Sequence, residues 1–582
     1  MRWYYWITIL FIGIFLYYQV TLELMLPEYM NTIVTEITRA TTDNTYDLDR
    51  SLIWLTGLKM VLIIFLGMLS MIIVGYLSAR IAAGYSSNLR HQIFKKVESF
   101  SLEEMNHFST SSLITRTTND VVQIQMVLIM VIRLAFIGPM TGVKAILKAI
   151  DRSSDLSYLI VIAVLILILS IAIIFIIVIP KFSRLQSITD QLNLVTRENL
   201  SGLRVVRAAN AVNIEESKFK TANLDFYQTN LFVGRVFSFM NPIIQMILNG
   251  LSLAIVWIGA SFINDIMSIK ARAEHLGSIM EFQQYAVQIV FAFMMMTMLV
   301  IIVPRGIVSG RRILAIFNTE NKIVDPILPI QEFSEKGSIE FKDVSFIYPS
   351  AEAPVIEKIN FKINPGETVA FIGSTGSGKS TIINLIPRFF DATTGEVLVN
   401  GVNVKDFKQH ELRDKIGYVP QKGLLFKGTI ESNLTYGNPH ATLDEINEAL
   451  EIAQAKEFVD QFKEGIRHEI AQGGTNVSGG QKQRLSIARA IIKKPDIYIF
   501  DDSFSALDFK TEKILRERLE NATKDATKII VAQRIGSIMN ADQIIVLNEG
   551  QIVGIGTHKE LLKSCEVYYE IALSQLAKEE LE

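Results

Sequence analysis

The chain has 582 residues, 49% of them hydrophobic, and a formal net charge of −2. That length allows several domains, the near-neutral balance gives no overall attraction to nucleic acid, and a single cysteine, Cys565, excludes an intrachain disulfide. Apolar runs crowd the first 306 residues while charge and Gly/Asp motifs dominate the remainder, so a membrane half followed by a soluble half is expected and a wholly soluble protein is excluded.

Six segments are long and apolar enough to cross a bilayer core, which takes about 20 helical residues. They lie near 3–26, 52–80, 123–148, 157–180, 235–263 and 282–304. The first lacks a small-residue cleavage site and is followed by further spans, so it reads as a retained membrane helix rather than a signal peptide. The segment 27–51 carries Arg39 and Arg50 against Glu28, Glu36, Asp43, Asp47 and Asp49, whereas 81–122 and 181–234 are rich in Lys and Arg. The bias of positive charge toward the cytosol puts those two connections and both termini inside the cell, in a cell-membrane protein. Lys144, Lys148 and Arg152 run against that trend and are partly offset by Asp151 and Asp155.

Both long connections keep helical periodicity, as in Leu89-Arg-His-Gln-Ile-Phe-Lys-Lys-Val, so the membrane helices should continue into the cytosol. Each pair should be closed by a short helix, near Leu102–Phe108 and Gly202–Ala209. Polar residues within spans are costly and mark candidate positions on a substrate path: Arg133, Gln245, Asn249, Gln283, Gln284 and Gln288. Interhelical hydrogen bonding is the alternative role for the same side chains.

Gly373-Ser374-Thr375-Gly376-Ser377-Gly378-Lys379-Ser380-Thr381 follows a strand-like run and precedes a helix-like one, the setting a phosphate-binding loop requires. The glycines let backbone N–H groups turn in on a polyphosphate, and the following helix offers its positive end. Lys379 would bridge the β- and γ-phosphates of ATP and the Ser380 hydroxyl would ligate Mg²⁺. Farther on, Ile497-Tyr-Ile-Phe-Asp501 is an apolar strand ending in a carboxylate suited to the Mg²⁺ shell.

From end to end this half resembles the nucleotide-binding domain of an ATP-binding cassette (ABC) transporter. The resemblance implies that Tyr348, in Val344-Ser-Phe-Ile-Tyr-Pro, stacks on adenine, and that Gln421, in Tyr418-Val-Pro-Gln, senses Mg²⁺ and the γ-phosphate. Val477-Ser478-Gly479-Gly480-Gln481 matches the family signature, which acts on the ATP of a partner, and Ser505-Ala-Leu-Asp508 matches the loop by which two such domains touch. The membrane half resembles exporter-type members, which work as pairs of six-helix halves. The expected fold is therefore an all-α six-helix transmembrane domain with long cytosolic extensions over 1–306, a linker over 307–337, and an α/β P-loop domain with a C-terminal tail over 338–582.

Two residues depart from the family pattern. The position after Asp501, normally the catalytic Glu, is Asp502, and the switch histidine before Arg534 is Gln533. A carboxylate displaced by about an ångström loses near-attack geometry, and Gln cannot carry a proton or a positive charge. Gln472 also stands where Glu is usual, ahead of the signature. The resemblance then implies half of a heterodimeric exporter of amphipathic small molecules or drugs. Its own ATP site would hydrolyse poorly, and its signature would complete the site of a second, non-identical half. The alternatives are a homodimeric lipid or peptide exporter and, in another class, a nucleotide-gated channel or regulatory subunit.

Overall fold

The computed structural model describes residues 3–42, 46–153, 155–264, 268–330, 335–349 and 351–575. Asp43, linker residues 331–334 and the end of the C-terminal tail lie outside the described residues. The chain divides into two compact units, Met1–Lys96 with Ser111–Asn318, and Val97–Thr110 with Thr319–Glu582.

Among the described residues ten α-helices build the first half of the chain: α1 (Trp3–Thr42), α2 (Arg50–Glu98), α3 (Leu102–His107), α4 (Thr110–Thr115), α5 (Val121–Arg152), α6 (Ser157–Ser201), α7 (Leu203–Ala208), α8 (Val212–Ser238), α9 (Met240–Asn264) and α10 (Ile269–Asn318). Among the described residues six helical stretches are long and apolar enough to span a membrane: Trp3–Thr42, Arg50–Glu98, Thr110–Arg152, Ser157–Ser201, Val212–Ile263 and Lys270–Asn318. Each is longer than its apolar core. In α1 the threonines beyond Pro27 return their hydroxyls to the preceding turn, Thr32 to Glu28 O and Thr41 to Ile37 O, so the helix continues through a polar stretch. α10 likewise runs on to Asn318, making residues 307–318 helix where the sequence suggested linker; Ile313 and Ile316, one turn apart and buried, hold it in place. A π-helical turn, Arg116–Asp120, joins α4 to α5, and its Asp120 accepts from Ser309 Oγ (2.9 Å) and pairs with Arg312 Nε (3.3 Å) of α10.

Among the described residues the second unit is built on twelve strands: β1 (Ile339–Phe346), β2 (Ile356–Ile363), β3 (Thr368–Gly373), β4 (Thr394–Val399), β5 (Val402–Asn403), β6 (Ile416–Val419), β7 (Gly428–Thr429), β8 (Glu469–Ile470), β9 (Ile497–Asp501), β10 (Thr527–Val531), β11 (Gln543–Asn548) and β12 (Gln551–Gly556). One sheet, ordered β2-β1-β4-β5, is antiparallel. A second, β12-β11-β3-β10-β9-β6, is parallel except at its β12 edge, and β7 and β8 form a small antiparallel pair. β3, β9 and β10 are buried along almost their whole length, as strands covered on both faces must be. Helices α11 (Lys379–Leu385), α12 (Gln409–Asp414), α13 (Ile430–Leu434), α14 (Leu443–Ile452), α15 (Lys456–Gln461), α16 (Gly479–Ile491), α17 (Phe509–Ala522), α18 (His558–Ser564) and α19 (Glu566–Leu573) complete it.

α3 belongs to this second unit. Ser101 and Glu104 cap its first turn reciprocally, and Glu104, 4% exposed, also accepts from the backbone N–H of Lys322 (3.1 Å). Lys322 pairs with Glu103, Asn321 Nδ2 donates to Ser99 O (2.8 Å), and Gln409 N donates to Asp325 Oδ1 (3.0 Å). The segment after α10 is thus an ordered strap between α3 and α12.

Candidate nucleotide-binding site

Four parallel strands end at one edge. In register, Val531 of β10 faces both Asp501 of β9 and Phe371 of β3, and Val419 of β6 faces Phe500. The chain leaves these ends into the Gly373–Thr381 loop, Asp502, Gln533 and Gln421, so residues scattered over 160 positions in sequence share one crevice beyond the carboxyl ends of the strands.

The loop is wound as a nest, with Gly373, Gly376 and Gly378 at φ of +155°, +87° and +96°. A side chain at Gly373 would collide with Leu547 O, and one at Gly378 would come within 2.5 Å of Ile356 Cγ2. Lys379 Nζ lies across the nest, donating to Gly373 O (2.8 Å), Ser374 O (2.7 Å) and Ser377 Oγ (3.2 Å). Ser374 and Thr375 are exposed at its rim, while Ser377 and Thr381 are buried beneath it. Burial pushes the Lys379 pKa down, opposed by the carboxylates of Asp502 and Asp501.

Ser380 Oγ donates to Asp501 Oδ1 at 3.2 Å, which brings two hard oxygen ligands side by side at the loop. Asp501 is only 8% exposed, and burial raises its pKa above the usual carboxylate range against the Ser380 hydrogen bond. Asp502 has a left-handed backbone, φ +46°, and its N–H is held by Val531 O (2.9 Å). Its Oδ2 accepts from Gln533 Nε2 (3.0 Å) and from Gln421 Nε2 (3.2 Å). Gln575, just after α19, holds the Gln533 segment by donating to Gln533 O and accepting from Ile535 N, both at 2.8 Å. That support spans 42 residues of sequence, and no local pattern marks it.

Tyr348 packs edge-on against Phe346 and Phe390, with its hydroxyl 3.2 Å from Thr381 Oγ1. A cavity of about 530 Å³ beside it is lined by Glu104, His107, Lys322, Tyr348 and Phe390. Ser478 caps the exposed start of α16 in a reciprocal box with Gln481, and a Cβ on Gly480 would sit 3.2 Å from Ala506 O. Asp508 caps α17, accepting from Thr511 N at 3.0 Å. Among the described residues no hydrogen bond links this signature to the phosphate loop. In the membrane unit Gln245 and Asn249 are exposed on α9 and Gln284 on α10, while Arg133, Gln283 and Gln288 are half-buried. They are spread over three helices rather than gathered, and Gln288 Oε1 is shut from solvent without a hydrogen-bond partner among the described residues.

A nested phosphate loop on a parallel sheet, fused behind six apolar helices, defines a membrane-embedded ATP-binding transporter. Comparison with known proteins agrees: residues 9–271 match the ABC transporter transmembrane region and 356–505 match the ABC transporter domain. An uncharacterized ABC transporter ATP-binding protein of Mycobacterium bovis is 39% identical over 504 residues, covering 86% of this chain and 85% of that protein. Another, YfiB of Bacillus subtilis, is 33% identical over 532 residues, 90% of each chain. A Staphylococcus aureus protein provisionally named as a multidrug export ATP-binding/permease protein is 46% identical over 234 residues, 40% of each chain. The solved structure of a bacterial Atm1-family ABC exporter with ATP bound has the same fold, with TM-score 0.79 at 22% identity over 96% of this chain and 97% of that one. The chain belongs to the ABC transporter family, as a half-transporter of exporter architecture. It is a multi-pass membrane protein with a cytoplasmic nucleotide-binding domain, and it couples ATP hydrolysis to transport.

Proposed function

We propose that this chain is one half of a heterodimeric exporter of amphipathic small molecules or drugs, carrying the weaker of two ATP sites. The observation that carries this reading is the convergence of Gln533 and Gln421 on a single oxygen of Asp502. A general base must have a lone pair directed at the attacking water. Here one oxygen of the shortened carboxylate, Oδ2, is held by two neutral amides, which orients the group away from the position a longer Glu would reach, and Gln533 offers no proton or positive charge to the γ-phosphate.

Lys379, released from the loop carbonyls, would hold the phosphates, and Tyr348 would meet the adenine. Ser380, Asp501 and Gln421 fit Mg²⁺ as a set of oxygen ligands, and the ion supplies neutralisation of phosphate charge when bound. Ser478, Gly479, Gly480 and Gln481, at an exposed helix N-terminus, suit the phosphates of a partner's ATP. Asp508, beside them, would meet that partner. The name of the staphylococcal relative supports small-molecule export, and the polar residues of α5, α9 and α10 supply candidate contacts.

The experiment is steady-state ATP hydrolysis by this chain alone in lipid, beside the chain co-expressed with a neighbouring, similar half. Negligible turnover alone, with restoration in the pair, is expected. The double substitution Asp502→Glu with Gln533→His should raise turnover of the lone chain about a hundredfold. Robust turnover by the unaltered chain, lost on Asp502→Asn, would instead establish a homodimer with a working aspartate.

A further inference from the structure

α10 enters the cytoplasm at its Asn318 end, so its Ile269 end, with the Arg152 end of α5, lies on the outer side. There, a carboxylate is buried inside the helical bundle. Glu281 of α10 is 1% exposed; its Oε1 accepts from Arg152 Nε of α5 (2.8 Å) and from the Tyr285 hydroxyl (3.0 Å), and its Oε2 accepts from Asn31 Nδ2 of α1 (2.6 Å). Thr35 donates to Asn31 Oδ1 at 3.0 Å. Close approach is built in, because any side chain at Gly277 would collide with Asn31 Oδ1 and come within 2.6 Å of Thr35 Oγ1.

The polar contact extends inward. Arg152, Lys148 and Lys144 recur every four residues and so share one face of α5. Lys148 pairs with Glu28 of α1, and Lys144 donates to Thr21 Oγ1 (2.5 Å) over the ring of Tyr17. Nearer the cytoplasm the same helices meet through Ile12, Leu16 and Ile132, which are buried and apolar.

The contrast has a physical meaning. An apolar contact of the same shape would hold these helices as firmly as a buried ion pair or more so, and ionic groups are best explained where a contact must be specific or switch. The polar groups sit beside buried apolar residues, Val20 and Leu24 of α1, Ala145 and Ala149 of α5 and Phe282 of α10, and because they gain water when the helices part, opening this mixed contact costs less than baring a wholly apolar one of equal area. We infer that Glu281, Arg152 and Asn31 form a reversible latch that closes the outer end of α1, α5 and α10 and parts during each transport cycle. The inference rests on the exporter reading.

The test uses the full chain in right-side-out vesicles of its host membrane, with Thr35→Cys as reporter and a membrane-impermeant maleimide outside. Cys565, the native cysteine, is buried in the cytoplasmic unit. Labelling should be slow in vesicles without nucleotide and about tenfold or more faster in vesicles loaded internally with ATP and vanadate. Glu281→Gln should raise the resting rate toward the trapped one. Arg152→Gln, which leaves Glu281 its Asn31 and Tyr285 donors, should do so in part and serves if the first variant does not fold. One unchanging rate at rest, in the trapped state and in a folded variant would overturn the latch. Thr42→Cys, exposed at the end of α1, should label in every state; its silence would overturn the membrane orientation. ATP-dependent ethidium movement in the same vesicles reports the exporter reading separately.

Discussion

Two adjacent carboxylates at the end of β9 have different surroundings. Asp501 is buried and shares a hydrogen bond with Ser380, whereas Asp502 is half-buried and meets two amides. Because burial raises the folded-state pKa of Asp501 above its unfolded value, its contribution to the stability of nucleotide-free protein is present at low pH and is lost as pH rises through that folded pKa. Asp501→Asn should therefore raise the melting temperature without nucleotide at neutral pH while removing the Mg²⁺-dependent part of ATP binding. Thermal unfolding and fluorescent-nucleotide binding, each with and without Mg²⁺, would check both halves. Unmutated protein should lose Mg²⁺-dependent binding on acidification at a higher pH than an ordinary aspartate would dictate. Lys379→Ala, which removes the cation lying across the nest, should weaken ATP binding at least about tenfold, or roughly 1.4 kcal/mol.

At the scale of elements, the sheet converts sequence order into a site. The loop after β3, the end of β9 and the exits of β6 and β10 were each readable because each is a short motif fixed to a strand end by its own chemistry. Gly373 illustrates this, since its φ of +155° and the nearness of Leu547 O leave no room for a side chain. Gly373→Ala should destabilise the domain by about 1–3 kcal/mol, seen in denaturant unfolding of the full protein in detergent. What could not be read were partners far apart in sequence. Gln575 behind Gln533, Glu281 against Arg152 and Asn31, and Glu104 under Lys322 are polar residues in unremarkable local contexts, and only the packing of distant elements gives them their roles. Residues 307 to 318 are helix rather than linker because Ile307, Val308, Ile313, Leu314 and Ile316 carry the apolar pattern of α10 onward through Ser309, Arg311 and Arg312, with Ile313 and Ile316 buried.

For the whole molecule, the proposed assembly has one chain supply the phosphate loop of one site and the signature of the other, so that each chain holds half of each of two sites. A tagged chain purified from its host should accordingly bring down a different half in equal amount. Native mass spectrometry would show this, and recovery solely with copies of itself would speak for the homodimer. The strap from Asn321 to Asp325 has a practical consequence. The soluble unit is discontinuous in sequence, since α3 is borrowed from between two membrane-crossing helices and closes one wall of the cavity beside Tyr348. A contiguous fragment begun after Asn318 would lack that wall, leave Lys322 without Glu103 and Glu104, and bare the Tyr348 and Phe390 rings to water. Nucleotide affinities measured on such a fragment would be taken with the surroundings of Tyr348 altered from those of the intact protein.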